Sequence, residues 1–410
     1  MKVCVIGLGY IGLPTALLLS QKNEVVGVDI KKDVVDCINK KQMPFEEPGL
    51  QEILRASTIR ASQTPEVSDA FIICVPTPFD REVRMADLRF VKSAAEAIVP
   101  WLRKGSLVVL ESTVSPGASC KVLVPILERS GLKVKKDFYL SHCPERAIPG
   151  NTLHEMINND RIVGGVDETS TKLTVQLYSG FVKGKIYTTD ITTAEFVKLM
   201  ENTYRDINIA LANEFAIIAE DTGIDIWEAI ALANKHPRVN ILRPGPGVGG
   251  HCIAVDPWFL TENSTKCKLI NTAREINDSM PAYILHKVSE TVKGIPTPRI
   301  TVFGVAYKGN VDDSRETPAL KFIKLAEKEG FEVRIYDPRV RHFEYPLLGL
   351  DEAVKGTDCI VIITDHDEFK HLDYDKLLDA ARGRNVVDTR NIIAKQGRFN
   401  LVRLGSTHHR

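Results

Sequence analysis

Lys2-Val3-Cys4-Val5-Ile6-Gly7-Leu8-Gly9-Tyr10-Ile11-Gly12 opens the chain, and its reading decides the fold. A short apolar strand runs into three glycines, then a helix-forming run from Pro14 to Gln21, then a second strand, Val25 to Val28, that ends on Asp29. Each part of this order has a physical task. Gly7 permits a tight turn, Gly9 lets backbone amides reach a pyrophosphate, and Gly12 lets the helix pack close to the strand with its N-terminus at the phosphate. Asp29, about twenty residues beyond the glycines, would accept hydrogen bonds from a ribose 2′-hydroxyl, which favours NAD over NADP. The other reading of Asp29 is a strand-end residue facing water. Glycines at this spacing alone are a weak signal; strand, glycines, helix, strand and acid in register predict dinucleotide binding.

Working outward, two more buried strands, Ala70 to Val75 and Ser106 to Leu110, each run into a polar turn, Pro76-Thr77-Pro78 and Glu111-Ser112-Thr113. Ligands of open parallel sheets bind outside the carboxyl ends of the strands. Thr77 and Thr113 are therefore cofactor candidates, with ordinary turn chemistry as the alternative. Tyr139 to Ser141 brings Glu145 and Arg146 of His142-Cys143-Pro144-Glu145-Arg146 to the same edge, and Arg161 to Gly164 with Lys185 to Thr188 close the sheet. Near the other end, Arg299 to Val305, Glu332 to Tyr336, Thr357 to Ile363 and Asn385 to Arg390 repeat the plan. This second copy lacks the glycine motif and carries instead a charged loop, Ala306 to Arg315. A changed loop at the same edge implies a different ligand, a nucleotide without nicotinamide. Alternatively the loop is solvated, with Lys308 and Arg315 pairing with Asp312 and Asp313.

Between the copies the pattern turns helical. Thr193 to Thr222 reads as one long helix ended by Gly223, Asp225 to Asn234 as a second, and Ala273 to Val292 as a third. Lys198, Asn202 and Arg205, spaced by four and three, share one helix face; they form either a solvated face or a shared site. His236 and Arg238 lead into Gly245-Pro246-Gly247-Val248-Gly249-Gly250-His251-Cys252, which holds four glycines in six positions and then one thiol. Glycines there allow positive φ and close approach of a substrate. If a helical turn begins after Cys252, Asp256 shares its face. The plain alternative is a buried core cysteine.

The expected fold class is α/β, with two Rossmann-like parallel-sheet domains (1–190 and 297–410) joined by a helical central domain (191–296) containing a long connecting helix. The 53 basic and 53 acidic residues cancel, which gives no electrostatic case for nucleic acid or an anionic membrane surface. The eight cysteines are scattered, with no metal or redox spacing, so no metal site and a reducing, cytoplasmic setting are expected. The first strand leaves no room for a signal peptide, and no apolar run reaches the ~18 residues a membrane span needs. His408-His409-Arg410 is set aside as a possible tag remnant.

NAD brings hydride transfer, and a cysteine adds a second stage. Its thiolate attacks an aldehyde to give a thiohemiacetal, which loses a further hydride to become a thioester that water hydrolyses. A nearby cation such as Lys198 would favour the thiolate and, with Asn202, stabilise an oxyanion. At this point GLGYIG, VPTP, STVSPG, CPER, KLMENTYR, GGHC with its aspartate, AYKG and DDSRE together resemble the nucleotide-sugar dehydrogenases that oxidise UDP-hexoses or GDP-mannose at C6. PERAIPG, HPRVN and GPGVGGHCIAVDPWF are most similar to the branch acting on UDP-N-acetyl-D-mannosamine, with a UDP-N-acetylglucosamine or UDP-glucose 6-dehydrogenase as the alternative.

The resemblance implies four-electron oxidation with two NAD. It implies Cys252 as thiolate, Lys198 as proton donor or oxyanion partner, Asn202 as oxyanion ligand, and Asp256 as a helper of base or water activation. Tyr10, Ile11, Asp29, Thr77 and Thr113 match cofactor contacts, beside Gly7, Gly9 and Gly12, and Arg315 is placed at the cofactor. Arg146, Ala147, Lys198, Asn202, Arg205, His236, Arg238, Gly249, Tyr307, Lys308 and Arg390 fall where the family holds the UDP-sugar. Some of these would serve a neighbouring subunit, since the family dimerises through its middle helices. Where the UDP-glucose branch has a second glutamate, this chain has Pro149. Glu145, Asp256 and Thr113 are left to hold the hydrolytic water. A non-catalytic NAD-sensing scaffold is the reading from a different class.

Overall fold

The structure, a computed structural model, describes residues 1–45, 47–80, 85–148, 150–262, 264–394 and 397–406. Pro149 and the His408-His409-Arg410 terminus lie outside them. The described chain divides into two compact units, Met1–Glu201 with Trp258–Ser264, and Asn202–Pro257 with Thr265–Arg410.

The first unit is built on an eight-stranded sheet. Its strands are β1 (Lys2–Ile6), β2 (Glu24–Val28), β3 (Arg60–Ser62), β4 (Ala70–Ile73), β7 (Leu107–Leu110), β8 (Tyr139–His142), β9 (Arg161–Gly165) and β10 (Ile186–Asp190), with a separate two-stranded ribbon of β5 (Phe79–Asp80) and β6 (Met85–Ala86). The spatial order is β10-β9-β8-β7-β4-β1-β2-β3. Val3 and Val5 of β1 enter one core while Cys4 and Ile6 enter the other, on the opposite face. Ala70 and Ile72 against Phe71 and Ile73 of β4 do the same. Burial on both faces is why these strands read as unbroken apolar runs instead of alternating ones. One pairing departs from the parallel plan: β8 meets β9 antiparallel, Ser141 opposite Gly165 and His142 opposite Gly164. The three-residue edge strand β3 was not legible, because Arg-Ala-Ser has no apolar pattern.

The second unit carries a five-stranded parallel sheet, ordered β12-β11-β13-β14-β15. These strands are β11 (Arg299–Phe303), β12 (Glu332–Tyr336), β13 (Cys359–Ile362), β14 (Asn385–Asp388) and β15 (Asn400–Arg403). One face packs with Met280, Ile284 and Val288 of the helix Lys268–Thr291 and with Ala212, Ala216 and Ala219 of the long helix. That long helix spans Ile191–Thr222, starting two residues before the sequence pattern predicts. It stops where expected, with Gly223 at φ 76°. The next helix, Ile226–Ala233, is capped by the Asp225 carboxylate, which accepts from the amides of Trp227 and Glu228.

Both sheets turn their first strand in the same way. Gly7 (φ 90°) donates its amide to Val28 O, and Gly304 (φ 86°) donates to Tyr336 O. Gly12 has a different reason to be glycine: a Cβ there would stand 1.7 Å from Gly7 O. Gly12→Ala must therefore push the first helix off its strand. We expect it to be destabilised by about 1–3 kcal/mol, seen as a lower urea midpoint with an unchanged slope.

Candidate active site

In the first unit the glycine turn is shaped as a cradle. An added Cβ at Gly9 meets nothing within 4 Å, whereas Gly7 and Gly12 are closed in by Cys74 and by each other. Open space at Gly9 next to a helix N-terminus is what close approach of a phosphate requires. Tyr10 lies against Phe45 with ring centroids 4.3 Å apart and planes tilted by 34°, and Ile11 is the residue before the helix. Asp29 is half-buried at the end of β2; its Oδ2 accepts from Leu8 N and its Oδ1 from Lys31 N, each at 2.9 Å. Lone pairs remain on both oxygens for a ribose hydroxyl. Thr77 and Thr113 are half-buried in loops leaving β4 and β7. Those loops are tied together by Ser112, whose hydroxyl donates to Val75 O at 2.6 Å.

Below this edge lies a buried ionic network that the sequence did not reveal. Glu111 accepts from Tyr178 Oη at 2.5 Å, Cys74 Sγ at 3.0 Å and Thr15 Oγ1 at 3.1 Å. Arg161 approaches Glu111 at 3.9 Å and is paired with Glu145 through its other terminal nitrogen. Burial opposes charge on Arg161, yet Glu145 and Glu111 hold it protonated well above its ordinary value. Burial pushes the Glu111 carboxyl up, against the pull of Arg161. The remaining oxygen of Glu145 accepts from the amides of Arg146 and Ala147, at 2.6 and 2.8 Å. Both oxygens of this water-holding candidate are thus engaged. Arg146 in turn donates to Glu201 at 2.6 Å and to Asp160 O.

Lys198 is 9% exposed. Close by in the same unit is His142, fully buried, with neither ring nitrogen hydrogen-bonded. Burial, with a smaller contribution from the Lys198 ammonium, pulls its pKa down to about 3.

In the second unit Cys252 is exposed, so the core-thiol alternative does not hold. The amide of Asp256 donates to Cys252 O at 2.8 Å, closing one helical turn before the helix Asp256–Thr261. The buried Asp256 carboxylate accepts from Asn202 Nδ2 at 2.6 Å. Carboxylate and amide are therefore brought together from residues 54 apart in sequence. Tyr307 joins them: burial raises its pKa, and the charges that act on it include those of Asp313, Cys252 and Arg205.

The glycines before Cys252 differ from expectation. Their open sides are filled by this unit's own atoms. An added Cβ at Gly245 would stand 2.7 Å from Arg390 Nη1, at Gly249 2.7 Å from Glu316 O, and at Gly250 2.8 Å from the Tyr307 ring. Their missing side chains make room for close packing of chain on chain. Gly245 N also donates to Asn213 Oδ1 at 2.8 Å, and Asn213, Asn277, Asp206 and Arg274 continue as a buried polar chain. Sequence reasoning missed these residues, since nothing local marks them.

Other site residues are more dispersed. Arg390 is half-buried, its Nε donating to Ile363 O at 2.9 Å, and burial lowers its pKa against the pull of Asp365 and Asp388. Arg315 grips Asp313 with two nitrogens, as the solvated-loop alternative anticipated. Lys308 is exposed, and makes no ion pair among the described residues. Arg205, His236 and Arg238 are also exposed. His236 and Arg238 occupy the turn after the helix Ile226–Ala233, where the Arg238 amide donates to His236 Nδ1 at 3.3 Å.

Three family models match the chain in turn. Residues 1–182 match the UDP-glucose/GDP-mannose dehydrogenase family NAD binding domain, 192–279 its central domain and 301–395 its UDP binding domain. A UDP-N-acetyl-D-mannosamine dehydrogenase of Methanococcus maripaludis is 48% identical, covering 99% of this chain and 97% of its own. An NDP-N-acetyl-D-galactosaminuronic acid dehydrogenase of Ralstonia solanacearum is 42% identical, covering 95% and 96%. A solved UDP-D-ManNAc dehydrogenase of Pyrococcus horikoshii superposes with a TM-score of 0.93 at 42% identity, over 99% of both chains.

Two stability measurements test this geometry. Arg161→Met strands two buried carboxylates, and we expect a loss of about 3–5 kcal/mol in urea unfolding. His142 titrates near 6.5 when unfolded and near 3 when folded. The unfolded chain binds more protons between those values, so stability falls as pH drops from about 6.5 towards 3. His142→Phe should flatten that part of the curve of Tm against pH.

Proposed function

Since the chain belongs to the UDP-glucose/GDP-mannose dehydrogenase family, and with it is an NAD-dependent nucleotide-sugar dehydrogenase, we propose that it oxidises UDP-N-acetyl-D-mannosamine at C6 to the uronate, using two NAD. The choice of sugar is supported by the M. maripaludis and P. horikoshii relatives. The chemistry rests on one observation: an exposed Cys252 closing a helical turn onto an Asp256 that is held by Asn202.

NAD, when bound, accepts one hydride from C6 in each of two oxidations. Gly7, Gly9, Tyr10, Ile11, Gly12, Asp29, Thr77 and Thr113 would hold it, with Arg315 as a further contact. The open side of Gly9 and the unfilled lone pairs of Asp29 fit that task. After the first oxidation Cys252 Sγ adds to the aldehyde carbon, and Lys198 and Asn202 stabilise or protonate its oxygen. The second oxidation leaves a thioester on Cys252, and water releases the acid and returns the thiol. Asp256, Thr113 and Glu145 are the candidates for aligning that water; Glu145 Oε2, bonded to Arg161, keeps a further acceptor position.

The UDP-sugar is assigned to Arg146, Ala147, Lys198, Asn202, Arg205, His236, Arg238, Gly249, Tyr307, Lys308 and Arg390. A guanidinium partly stripped of water, as in Arg390, gains most from a diphosphate. The same reading divides the chain into 1–190, 191–296 and 297–410 and has two copies meet along the long helix. Exposed Phe196, Met200, Tyr204, Leu211, Phe215 and Ile218 recur there every three, four or seven residues, on one face. No helix among the described residues is long and apolar enough to cross a membrane. A cytoplasmic setting rests on the scattered spacing of the eight cysteines.

A panel of UDP-N-acetyl-D-mannosamine, UDP-N-acetylglucosamine and UDP-glucose tests the assignment. Two NADH per sugar from the first is expected, and turnover of UDP-glucose alone would overturn it. Cys252→Ser should lower free-acid formation roughly a hundredfold or more, and an unchanged rate would sink the thioester.

A further inference from the structure

The segment that follows the thiol is tied to the first unit by contacts the assigned site residues do not include. Trp258–Ser264 clusters with the first unit although the chain on both sides of it clusters with the second. Two side chains of the segment contribute to the attachment. Trp258 stacks on Phe79, ring centroids 5.8 Å apart and planes 13° from parallel. Glu262 Oε2 accepts from the Ser115 hydroxyl and from Ala86 N at 3.4 Å.

The partners are what give these contacts meaning. Phe79 is two residues beyond Thr77, in the loop leaving β4, and pairs with Ala86 in the β5–β6 ribbon. Ser115 is two residues beyond Thr113, in the loop leaving β7. The helix Asp256–Thr261 therefore has its first residue bonded to Cys252 O and, two residues on, a ring stacked on one cofactor-side loop. The carboxylate just past its end holds the other loop. We propose that Trp258 and Glu262 are positioning residues for hydride transfer: they hold the Thr77 and Thr113 loops against the helix that continues from Cys252. A misplacement of about 1 Å at such a centre costs on the order of a hundredfold in rate, so a stacked ring and a two-point carboxylate clamp are adequate means of control.

This rests on the reading of Cys252 as nucleophile and of Thr77 and Thr113 as cofactor contacts. The test is single-turnover NADH formation, with wild-type enzyme in excess over UDP-N-acetyl-D-mannosamine carrying hydrogen or deuterium at C6. An isotope-sensitive phase in the wild type establishes the assay; its absence counts against the substrate assignment, and the same variants are then run on whichever panel sugar the wild type oxidises. In Trp258→Ala and Glu262→Ala that phase should slow tenfold or more, while NAD affinity by calorimetry without sugar changes less than threefold. Trp258→Phe, which keeps a stacking ring, should recover the rate to within threefold. An isotope-sensitive rate within twofold of wild type in both alanine variants would overturn the proposal. So would a loss that only follows the folded fraction, measured by circular dichroism.

Discussion

The guanidinium of Arg161 lies beneath the carboxyl edge of the larger sheet, almost sealed from water. Burying such a group unpaired costs several kcal/mol, so the neighbouring chain is arranged to satisfy it. Glu145 and Glu111 supply opposite charge, and the rings of Tyr178 and Phe181 lie 5.0 and 5.5 Å from its carbon. Through Glu111 the same ion reaches Thr15 on the first helix and Cys74 at the end of β4. Through Glu145 it fixes the amides of Arg146 and Ala147. Loops that belong to separate strands thus share one anchor, and none can shift without uncovering charge. That constraint gives a set of otherwise independent loops a common frame in which a cofactor can be held.

The two sheets turn their first loops alike yet differ at the carboxylate ending the second strand. Asp29 spends one bond from each oxygen on backbone amides. Asp337, at the matching place after β12, accepts from the amides of Val305, Ala306, Arg339 and Val340. His366 fills it further: its Nδ1 accepts from Asn310 N, so its Nε2 carries the proton and donates to Asp337 at 3.2 Å. A carboxylate offers about four acceptor positions, and here they are consumed. The second sheet uses its carboxylate as a brace, whereas Asp29 keeps an acceptor position on each oxygen.

Legibility of the sequence tracked how local each determinant is. Residues 2–29 could be read because turn, helix and strand are set by neighbours, and apolar runs betrayed strands buried on both faces. The i, i+4 relation of Cys252 and Asp256 was readable for the same reason, as was the inward face of Lys198 and Asn202, 9% and 7% exposed. Arg205, on that same predicted face, is exposed; helical spacing gives a direction and not a depth. Arg161 was read only as the first residue of a strand, since its partners are 16 and 50 residues away. Glu262 finds Ser115 147 residues away, and no spacing rule reaches that far.

The glycine loop shows how the same residues support two different physical accounts. Small residues before a nucleophile suggest space for a substrate, but Pro244 to Gly250 are buried and their missing side chains are replaced by Arg390, Glu316 and Tyr307. Gly247 and Gly250 adopt φ of 123° and 83°, which other residues reach only with strain. The amide of Gly245 is then held by Asn213, at one end of a fully buried polar chain. Such a network specifies one arrangement strongly, because any other leaves polar groups unpaired in a low dielectric. The covalent role proposed for Cys252 asks for an accessible thiol on a fixed backbone: Cys252 itself is exposed, and the glycines packed against neighbouring chain hold the backbone before it.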